Sequence, residues 1–418
     1  MRLLFAALLS LAAATLAAQP LERVAPEEVG MDASKLAIAD GIIENAITEV
    51  GIPGAVLAVV RHGKMAYIKA YGNKAVYPAT EPMTVETVFD MASCSKPLGT
   101  AMSVMALVER GQIRLMDPVS VYIPGFQDWE KDGEKDGEKE TIRVYHLLTH
   151  TSGLPSYGPT DELAAKYGSP SPEGLLEYIC SCRRDFRPAA DFRYSCLNYI
   201  TLMHIVQNVS GQSLREFARE NIFAPLGMDY TDYLPCVPSE EGWVNTSDPC
   251  WAPLVEGDWH NVIAPTEVQP DGQVLRGQVH DPLARVMNGG ISGNAGLFSR
   301  ADDIAILCAA LQNGGEWNGV CVLSPATVRA MRTVPWRVKD LGRSLGWDCR
   351  TDYSTNQGDL LGPDAYGHTG YTGTSVVIDP DYDISIILLV NAVHPKDEHS
   401  MVRTRSLVAN AVAAAIMK

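Results

Sequence analysis

The stretch Ser93-Cys94-Ser95-Lys96 decides how this chain is interpreted. It follows a short strand-like run at residues 87–92 and precedes an apolar segment at residues 98–107. A helix that begins at Ser93 places Lys96 on the same face, one turn further on. A lysine in that position can take the proton of the serine hydroxyl, and the first N–H groups of the helix can hold an oxyanion. The stretch therefore predicts that Ser93 is a nucleophile activated by Lys96.

Two other groups within the same stretch compete for the role of nucleophile. Ser95 adjoins the lysine in sequence, and Cys94 carries a thiol, but both point away from the face that holds Ser93 and Lys96. Pairs of the form S-x-x-K also arise by chance in a chain of 418 residues, so the prediction depends on the motifs that accompany it.

The charge and the first residues of the chain bear on its partners and location. A net charge of −16 argues against nucleic acid and anionic membrane surfaces as partners. Residues 1–18 start with one basic residue, Arg2, continue as an apolar run and end in Ala17-Ala18, which is typical of a signal peptide. The alternative is a membrane-anchored N-terminus, for which the run is short. We therefore expect a periplasmic or secreted protein with no transmembrane span in the mature chain.

The nine cysteines leave at least one thiol unpaired, because their number is odd. Cys236 and Cys250 flank a loop rich in Pro and Ser, and a disulfide between them would close it. Cys308 lies in a helical apolar pattern, which favours a buried thiol. The sequence has no C-x-x-C pair, so neither a zinc ribbon nor a thioredoxin-like redox site is indicated.

The order of predicted elements indicates one domain, residues 19–418, with two lobes. An α/β lobe is predicted from about 31–114 and 290–418, and a mostly helical lobe from about 115–289. The cleft between two such lobes is the natural place for a site. The clearest elements are a helix capped by Asp32 that ends at Gly51, a hairpin around His62-Gly63-Lys64, helices at 301–312 and 401–417, and strands at 374–379 and 384–391.

Tyr194 lies just before a predicted helix, in the segment Phe192-Arg193-Tyr194-Ser195-Cys196. Beside a lysine ammonium its phenol would lose a proton more easily and could act as a general base. Taken alone, a tyrosine in this context more often packs than reacts.

The segment Tyr366-Gly367-His368-Thr369-Gly370-Tyr371-Thr372-Gly373 enters a predicted strand. Its three glycines allow a ligand or another backbone to come close, so its edge could bind a peptide-like substrate by strand addition. The N–H of Tyr371 could then pair with that of Ser93 as an oxyanion hole. The alternative is an ordinary glycine-rich turn.

His146 and His150 stand four residues apart near the segment Leu147-Leu148-Thr149-His150-Thr151-Ser152-Gly153-Leu154. This spacing occurs in helical zinc sites, but no Glu follows His146 and a turn begins at Thr151. We therefore predict no metal site here.

Together, the ordered motifs S-x-x-K, Leu-Leu-Thr-His-Thr-Ser-Gly-Leu, Tyr-Ser-x and His-Thr-Gly resemble those of the serine β-lactamase-related family. This family comprises class C β-lactamases, serine D-alanyl-D-alanine peptidases and related esterases. The resemblance extends from about Met31 to Lys418. It implies an α/β (α+β) two-lobed fold, with an antiparallel sheet flanked by helices plus a mostly helical lobe.

The resemblance also implies roles for individual residues. It matches Ser93 to the nucleophile, Lys96 to its activating partner and Tyr194 to the tyrosine that passes the proton to the leaving group. In the third motif, His368 matches the basic residue, Thr369 a hydrogen-bonding partner of a substrate carboxylate or carbonyl, and Gly370 the residue that keeps the strand open.

The chain departs from the family pattern at Cys196, where Asn is usual and Asp occurs. A thiol is a weak hydrogen-bonding group and does not replace a carboxamide. One interpretation is that the orientation of Lys96 or of a substrate amide is weakened. The other is that Cys196 only packs, and another group such as Asn198 does the work.

These observations predict an exported serine hydrolase that forms an acyl-enzyme on Ser93 and needs neither metal nor organic cofactor. We rank the hydrolysis of D-Ala-type cell-wall peptides and the hydrolysis of small esters equally. Cell-wall peptidoglycan is a candidate partner. Hydrolysis of β-lactams ranks third, because a neutral His368 holds a carboxylate less strongly than lysine does. The alternative from another class is a cell-wall-peptide or penicillin-binding module without efficient turnover.

Overall fold

The computed structural model describes residues 19–131, 138–240, 242–349, 351 and 356–418. The predicted signal peptide, residues 1–18, lies outside the described residues. The strands are β1 (Gly54–Arg61), β2 (Lys64–Ala75), β3 (Glu81–Pro82), β4 (Phe89–Asp90), β5 (Trp129–Glu130), β6 (Lys139–Glu140), β7 (Asp232–Tyr233), β8 (Cys236–Ser239), β9 (Gly242–Asn245), β10 (Leu297–Ser299), β11 (Glu316–Trp317), β12 (Val320–Cys321), β13 (Tyr366–Thr369), β14 (Ser375–Asp379) and β15 (Ile384–Val390). The α-helices are α1 (Ala33–Leu36), α2 (Ile38–Asn45), α3 (Met102–Glu109), α4 (Val144–Leu148), α5 (Thr160–Tyr167), α6 (Pro172–Ser181), α7 (Cys196–Ser210), α8 (Leu214–Ala218), α9 (Ala301–Gln312), α10 (Pro325–Arg332) and α11 (Val402–Ala414).

A six-stranded antiparallel sheet joins the two ends of the chain, in the order β13-β14-β15-β1-β2-β3. Its central strand β1 pairs with β15 in a register that sets Ala55 opposite Val390. Successive residues of a strand point to opposite faces. Leu57 therefore packs in one core, which also contains residues of α2 and α11, while Val56 packs in another, which also contains residues of α9. Because both faces are covered, β1 is apolar throughout instead of alternating.

The hairpin between β1 and β2 confirms the prediction at His62-Gly63-Lys64. His62 and Gly63 have φ values of 52° and 69°, which is the backbone that a two-residue turn between antiparallel strands requires. The predicted N-cap is also present, since Asp32 Oδ1 accepts hydrogen bonds from the N–H groups of Ser34 and Lys35.

A buried helical segment runs from Ala92 to Glu109 and carries the S-x-x-K motif. It starts as a 3-10 turn (Ala92–Cys94), continues as a π-helical stretch (Lys96–Ala101) and ends as α3. Its residues from Leu98 to Leu107 are all buried, so the segment passes through the core of the molecule. It stops at Gly111, whose φ of 67° suits a helix terminus.

The middle of the chain contributes α4 to α8, followed by residues 235–278, which include the loop flanked by Cys236 and Cys250. They contain the hairpin of β8 and β9, and Trp251 and Trp259 pack with Leu234 and Ile263 in a small core of their own. Within the described residues, no helix combines the length and the apolar character needed to cross a bilayer.

The disulfide that could have joined Cys236 and Cys250 is not formed in the structure, where both thiols are free. Cys236 is buried, and the thiol of Cys250 donates to the carbonyl oxygen of Asp229 at 3.1 Å. The β8–β9 hairpin and the tryptophan core hold this loop together without a covalent link. The predicted burial of the Cys308 thiol is confirmed.

Candidate active site

A strained turn presents Ser93 at the start of its helix. The preceding residue, Ala92, has a φ of 45°, a left-handed backbone that alanine rarely adopts. The buried carboxylate of Asp90 holds this turn, since it accepts from the N–H of Ala92 at 2.8 Å and from the N–H of His280 at 2.7 Å. Burial raises the pKa of Asp90. Strain of this kind is typical of functional sites, where the surrounding structure fixes one backbone geometry.

The hydroxyl of Ser93 and the amine of Lys96 are in direct contact. Lys96 Nζ lies 3.0 Å from Ser93 Oγ, and the lysine is fully buried. The amine also donates to the carbonyl oxygen of Asn294 at 2.9 Å and contacts Cys196 Sγ at 3.7 Å. The predicted geometry of the pair is therefore present, with a backbone oxygen as the strong second partner of the amine.

The competing nucleophiles of the motif have structural roles. Ser95 is buried, and its Oγ accepts from the N–H of Leu297 at 3.1 Å. Cys94 is also buried, and burial raises the pKa of its thiol to about 11. Neither group is placed to attack a substrate in the cleft.

A further serine lies in a G-x-S-x-G context, the run Gly342-Arg343-Ser344-Leu345-Gly346. A nucleophile elbow of that pattern needs a strand before the serine and a helix after it. Here a 3-10 helix, Trp336–Leu341, precedes it, and Ser344 is fully buried with its Oγ donating to the carbonyl oxygen of Trp347 at 3.3 Å. This serine is therefore part of the core.

Tyr194 lies two residues before α7 and beside Ser93 and Lys96. Its ring centroid is 4.9 Å from Lys96 Nζ and 5.5 Å from the guanidinium carbon of Arg343. The ring of His368 is 6.0 Å away, centroid to centroid. Tyr194 therefore lies among Lys96, Arg343 and His368.

The wall opposite Ser93 is the end of β13 and the turn that follows it. A Cβ at Gly370 would lie 2.6 Å from the carbonyl oxygen of Met91 and 3.3 Å from Ala92 Cβ, so glycine allows this wall to approach the Ser93 turn. The hydroxyl of Thr372 donates to the carbonyl oxygen of Asp90 at 2.8 Å and ties the two together.

Two backbone N–H groups are available beside the nucleophile. Within the described residues, the N–H groups of Ser93 and Tyr371 donate to no other protein group. The side chain of Tyr371 is 67% exposed at the rim, where its hydroxyl donates to Asp397 Oδ2 at 2.6 Å. The predicted oxyanion pair is thus compatible with the geometry.

His368 lies behind the wall of the cleft, and only 2% of it is exposed. Burial, together with the charges of Arg343 and Lys96, lowers the pKa of His368 well below its usual value. Its Nδ1 is 2.8 Å from the carbonyl oxygen of Thr369 and donates to it. The imidazole is therefore neutral, and it supports the strand instead of offering a charge to a substrate.

The contacts of Asn198 and Asn294 bear on the question left open at Cys196. Asn198 is buried, and its Oδ1 accepts from Ser152 Oγ at 2.6 Å while its amide nitrogen faces His150, so it does not hold the lysine. The carbonyl oxygen of Asn294 does.

Sequence reasoning missed Asn294, Tyr157 and Asp281 as parts of the site. Asn294 also donates from Nδ2 to Asp281 Oδ1 at 3.1 Å. Asp281 and Tyr157 line the cleft between the lobes. A backbone carbonyl leaves no signature in sequence, and Asp281 and Asn294 lie far from the motifs in the chain, whereas Tyr157 lies only three residues after Leu154.

The histidines with zinc-like spacing have separate partners. His146 Nδ1 accepts from the N–H of Arg143 at 2.9 Å, and burial lowers the pKa of His146 to about 3. His150 Nδ1 accepts from the N–H of Ser195 at 3.1 Å. The two rings therefore do not converge on one point.

All these groups surround a cleft of about 580 Å³. Six of the predicted site residues line it, while Lys96 and His368 lie buried behind them; the six are Ser93, Tyr194, Cys196, Thr369, Gly370 and Tyr371. Arg405 lines it too, and its guanidinium donates to the carbonyl oxygen of Gly370 at 2.7 Å. The arrangement suits covalent attack on a carbonyl by a serine.

Comparisons with known proteins agree with this geometry. The family model described as Beta-lactamase matches residues 39–410. An N-acetylmuramyl-L-alanine amidase of Bacillus subtilis is 34% identical, with 88% of this chain and 83% of the amidase aligned. A putative D-alanyl-D-alanine carboxypeptidase of Escherichia coli is 31% identical, with 90% and 86% aligned.

Solved structures show the same fold. EstCE1, a hydrolase with promiscuous acyltransferase activity, superposes with a TM-score of 0.67 at 25% identity, covering 91% of this chain and 99% of EstCE1. An octameric penicillin-binding protein homologue from Pyrococcus abyssi gives a TM-score of 0.65 at 23% identity, covering 93% and 79%. The two-lobed fold predicted from the motifs is confirmed.

Proposed function

Because this chain belongs to the β-lactamase family and is a serine hydrolase, we propose that it cleaves an amide or ester carbonyl through an acyl-enzyme on Ser93. The observation that carries the proposal is the 3.0 Å contact between Lys96 Nζ and Ser93 Oγ at the wall of the cleft. A buried amine at that distance can take the hydroxyl proton as the oxygen attacks.

In the first half of the proposed reaction, Ser93 Oγ bonds to the substrate carbonyl carbon while its proton passes to the Lys96–Tyr194 pair. The negative charge that forms on the carbonyl oxygen rests on the N–H groups of Ser93 and Tyr371. Tyr194 then gives a proton to the leaving amine or alcohol as its bond to the carbon breaks. In the second half, water attacks the ester carbon and loses a proton to the same pair. The bond to Ser93 Oγ then breaks, and that oxygen takes a proton back from the pair as the acid leaves.

The state of His368 and the names of the relatives bear on the substrate class. His368 is neutral and buried, so it does not supply the charge that a lysine in the third motif would offer to a β-lactam carboxylate. The relative named as a putative D-alanyl-D-alanine carboxypeptidase favours D-Ala-type cell-wall peptides, and the relative named as an N-acetylmuramyl-L-alanine amidase favours a cell-wall amide. The likeness to EstCE1 favours small esters equally, and β-lactams remain third.

We also propose that residues 19–418 form one domain and that the protein is exported to the periplasm or secreted. The support is the composition of residues 1–18, a basic residue followed by an apolar run and small residues. N-terminal sequencing of the protein purified from cells and from medium tests export, since an N-terminus at residue 1 in the cytoplasm would contradict it.

The test is mass spectrometry of the intact protein after exposure to D-Ala-terminated peptides, small esters and penicillins. We expect a covalent adduct on wild type with at least one class, free acid as product, and no adduct on Ser93→Ala. An adduct that never turns over would favour the alternative, a binding module without efficient turnover. A folded wild type that neither forms an adduct nor releases acid would refute the proposal.

A further inference from the structure

One buried side chain, His150, holds the segment that carries Tyr194. Only 1% of His150 is exposed, and it follows α4 at a sharp turn of the chain. Its backbone has a φ of 58°, in the left-handed region that few residues other than glycine adopt, although histidine enters it more often than most. A fixed and unusual backbone at a buried polar residue indicates that its side chain is needed in one orientation.

His150 contacts both neighbours of Tyr194 and the tyrosine itself. Its carbonyl oxygen accepts from the N–H of Arg193 at 3.0 Å, and its Nδ1 accepts from the N–H of Ser195 at 3.1 Å. Its ring centroid lies 4.5 Å from that of Tyr194, with the planes tilted by 32°. These three contacts fix the backbone on each side of the tyrosine and one face of its ring.

The imidazole is neutral, and its tautomer follows from the contacts. Burial, together with the charges of Arg343 and Lys96, lowers the pKa of His150 well below its usual value. Because Nδ1 accepts a hydrogen bond, the ring proton is on Nε2. From the other side the imidazole is held by Tyr199, whose ring centroid is 5.0 Å away and whose hydroxyl donates to the carbonyl oxygen of Leu148.

We propose that His150 is a positioning residue that sets the phenol of Tyr194 against Ser93 and Lys96 by holding the tyrosine backbone on both sides. This inference rests on the proposed function, in which Tyr194 gives a proton to the leaving group. Misplacing a reacting group by about 1 Å can cost ~100-fold in rate. The loss is largest for leaving groups that need a proton, such as amines and alkoxides.

The test compares His150→Asn with His150→Gly, because both residues tolerate the left-handed backbone. Asparagine keeps an acceptor oxygen near the position of Nδ1, whereas glycine removes acceptor and ring together. Rates are measured with a D-Ala peptide or alkyl ester and with a p-nitrophenyl ester, and are divided by the number of sites that react with a serine-directed phosphonate. His204→Asn is the matched control, since it replaces a buried histidine about 12 Å along α7 from its start.

We expect His150→Gly to lower kcat with the poor leaving group by ~100-fold and with p-nitrophenyl ester by less than ~10-fold, with KM little changed. His150→Asn should recover at least ~10-fold of that loss, and His204→Asn should match wild type per labelled site. If glycine at this position yields no folded protein, His150→Asn alone must still lose more activity on the poor leaving group than on the nitrophenyl ester.

Equal losses on both substrates, or an asparagine variant no better than the glycine variant, would overturn the positioning role and leave His150 with a purely structural one. Failure of the proposed function looks different, because wild type itself would then neither take the phosphonate nor release product. That result would overturn the role of His150 as well.

Discussion

Replacing Cys196 with alanine tests which group orients the catalytic lysine. Lys96 Nζ has two close oxygen partners, Ser93 Oγ at 3.0 Å and the carbonyl oxygen of Asn294 at 2.9 Å, and one distant sulfur, Cys196 Sγ at 3.7 Å. A sulfur acceptor at that distance contributes at most about 1 kcal/mol, whereas a hydrogen bond from an ammonium to oxygen contributes about 1.5–3 kcal/mol. Because 1 kcal/mol changes a rate about fivefold, we expect Cys196→Ala to lower kcat by no more than about fivefold.

The assay measures kcat with a small ester per phosphonate-reactive site, so that a loss of folded protein is not counted as a loss of catalysis. Cys308→Ala is the matched control, since it removes a fully buried thiol from α9, outside the cleft lining. A loss greater than about 30-fold in Cys196→Ala, with the control unchanged, would refute the view that the Asn294 carbonyl is the main partner of the lysine.

Three further predictions follow from packing, titration and thiol chemistry. Gly370→Ala should lower ester turnover at least ~100-fold, because a Cβ would lie 2.6 Å from a carbonyl oxygen. The control Gly41→Ala has open space in α2 and should raise the free energy of unfolding by about 0.5–1 kcal/mol. Equal ester turnover in the two variants would contradict the glycine-lined wall. Burial lowers the pKa of His204 to about 4, so on acidification the unfolded chain binds a proton at this residue before the folded chain does, and stability falls as pH drops from about 6.5 towards 4. Between pH 7 and pH 5, the free energy of unfolding of His204→Asn should therefore decline by about 2 kcal/mol less than that of wild type. An identical decline in the two proteins would refute this. Alkylation in guanidinium without reductant should label all nine cysteines. If Cys236 and Cys250 stayed unlabelled, the two would be joined by a disulfide and the prediction would be wrong.

Much of the fold was predictable because its signals are local. The cap at Asp32, the turn at His62-Gly63 and the helix end at Gly51 each depend on a few neighbouring residues, and all three are present. The contact between Ser93 and Lys96 follows from helical spacing alone.

What could not be predicted depends on contacts between distant parts of the chain. The oxygen that holds Lys96 is a backbone atom of Asn294, which any residue type would supply. The separate partners of the Cys236 and Cys250 thiols depend on the packing of a tryptophan core that has no periodic pattern. The contacts of His150 depend on a left-handed backbone at that residue, which the neighbouring sequence does not indicate.

The register that sets Ala55 opposite Val390 has a consequence for when this enzyme becomes active during its synthesis. The ribosome makes the helix that carries Ser93 well before it makes β13, the sheet edge that faces this helix, and the strands β14 and β15 that join this edge to β1. Synthesis that stops before residue 371 therefore leaves a polypeptide without the N–H of Tyr371 and without the sheet that holds it opposite Ser93.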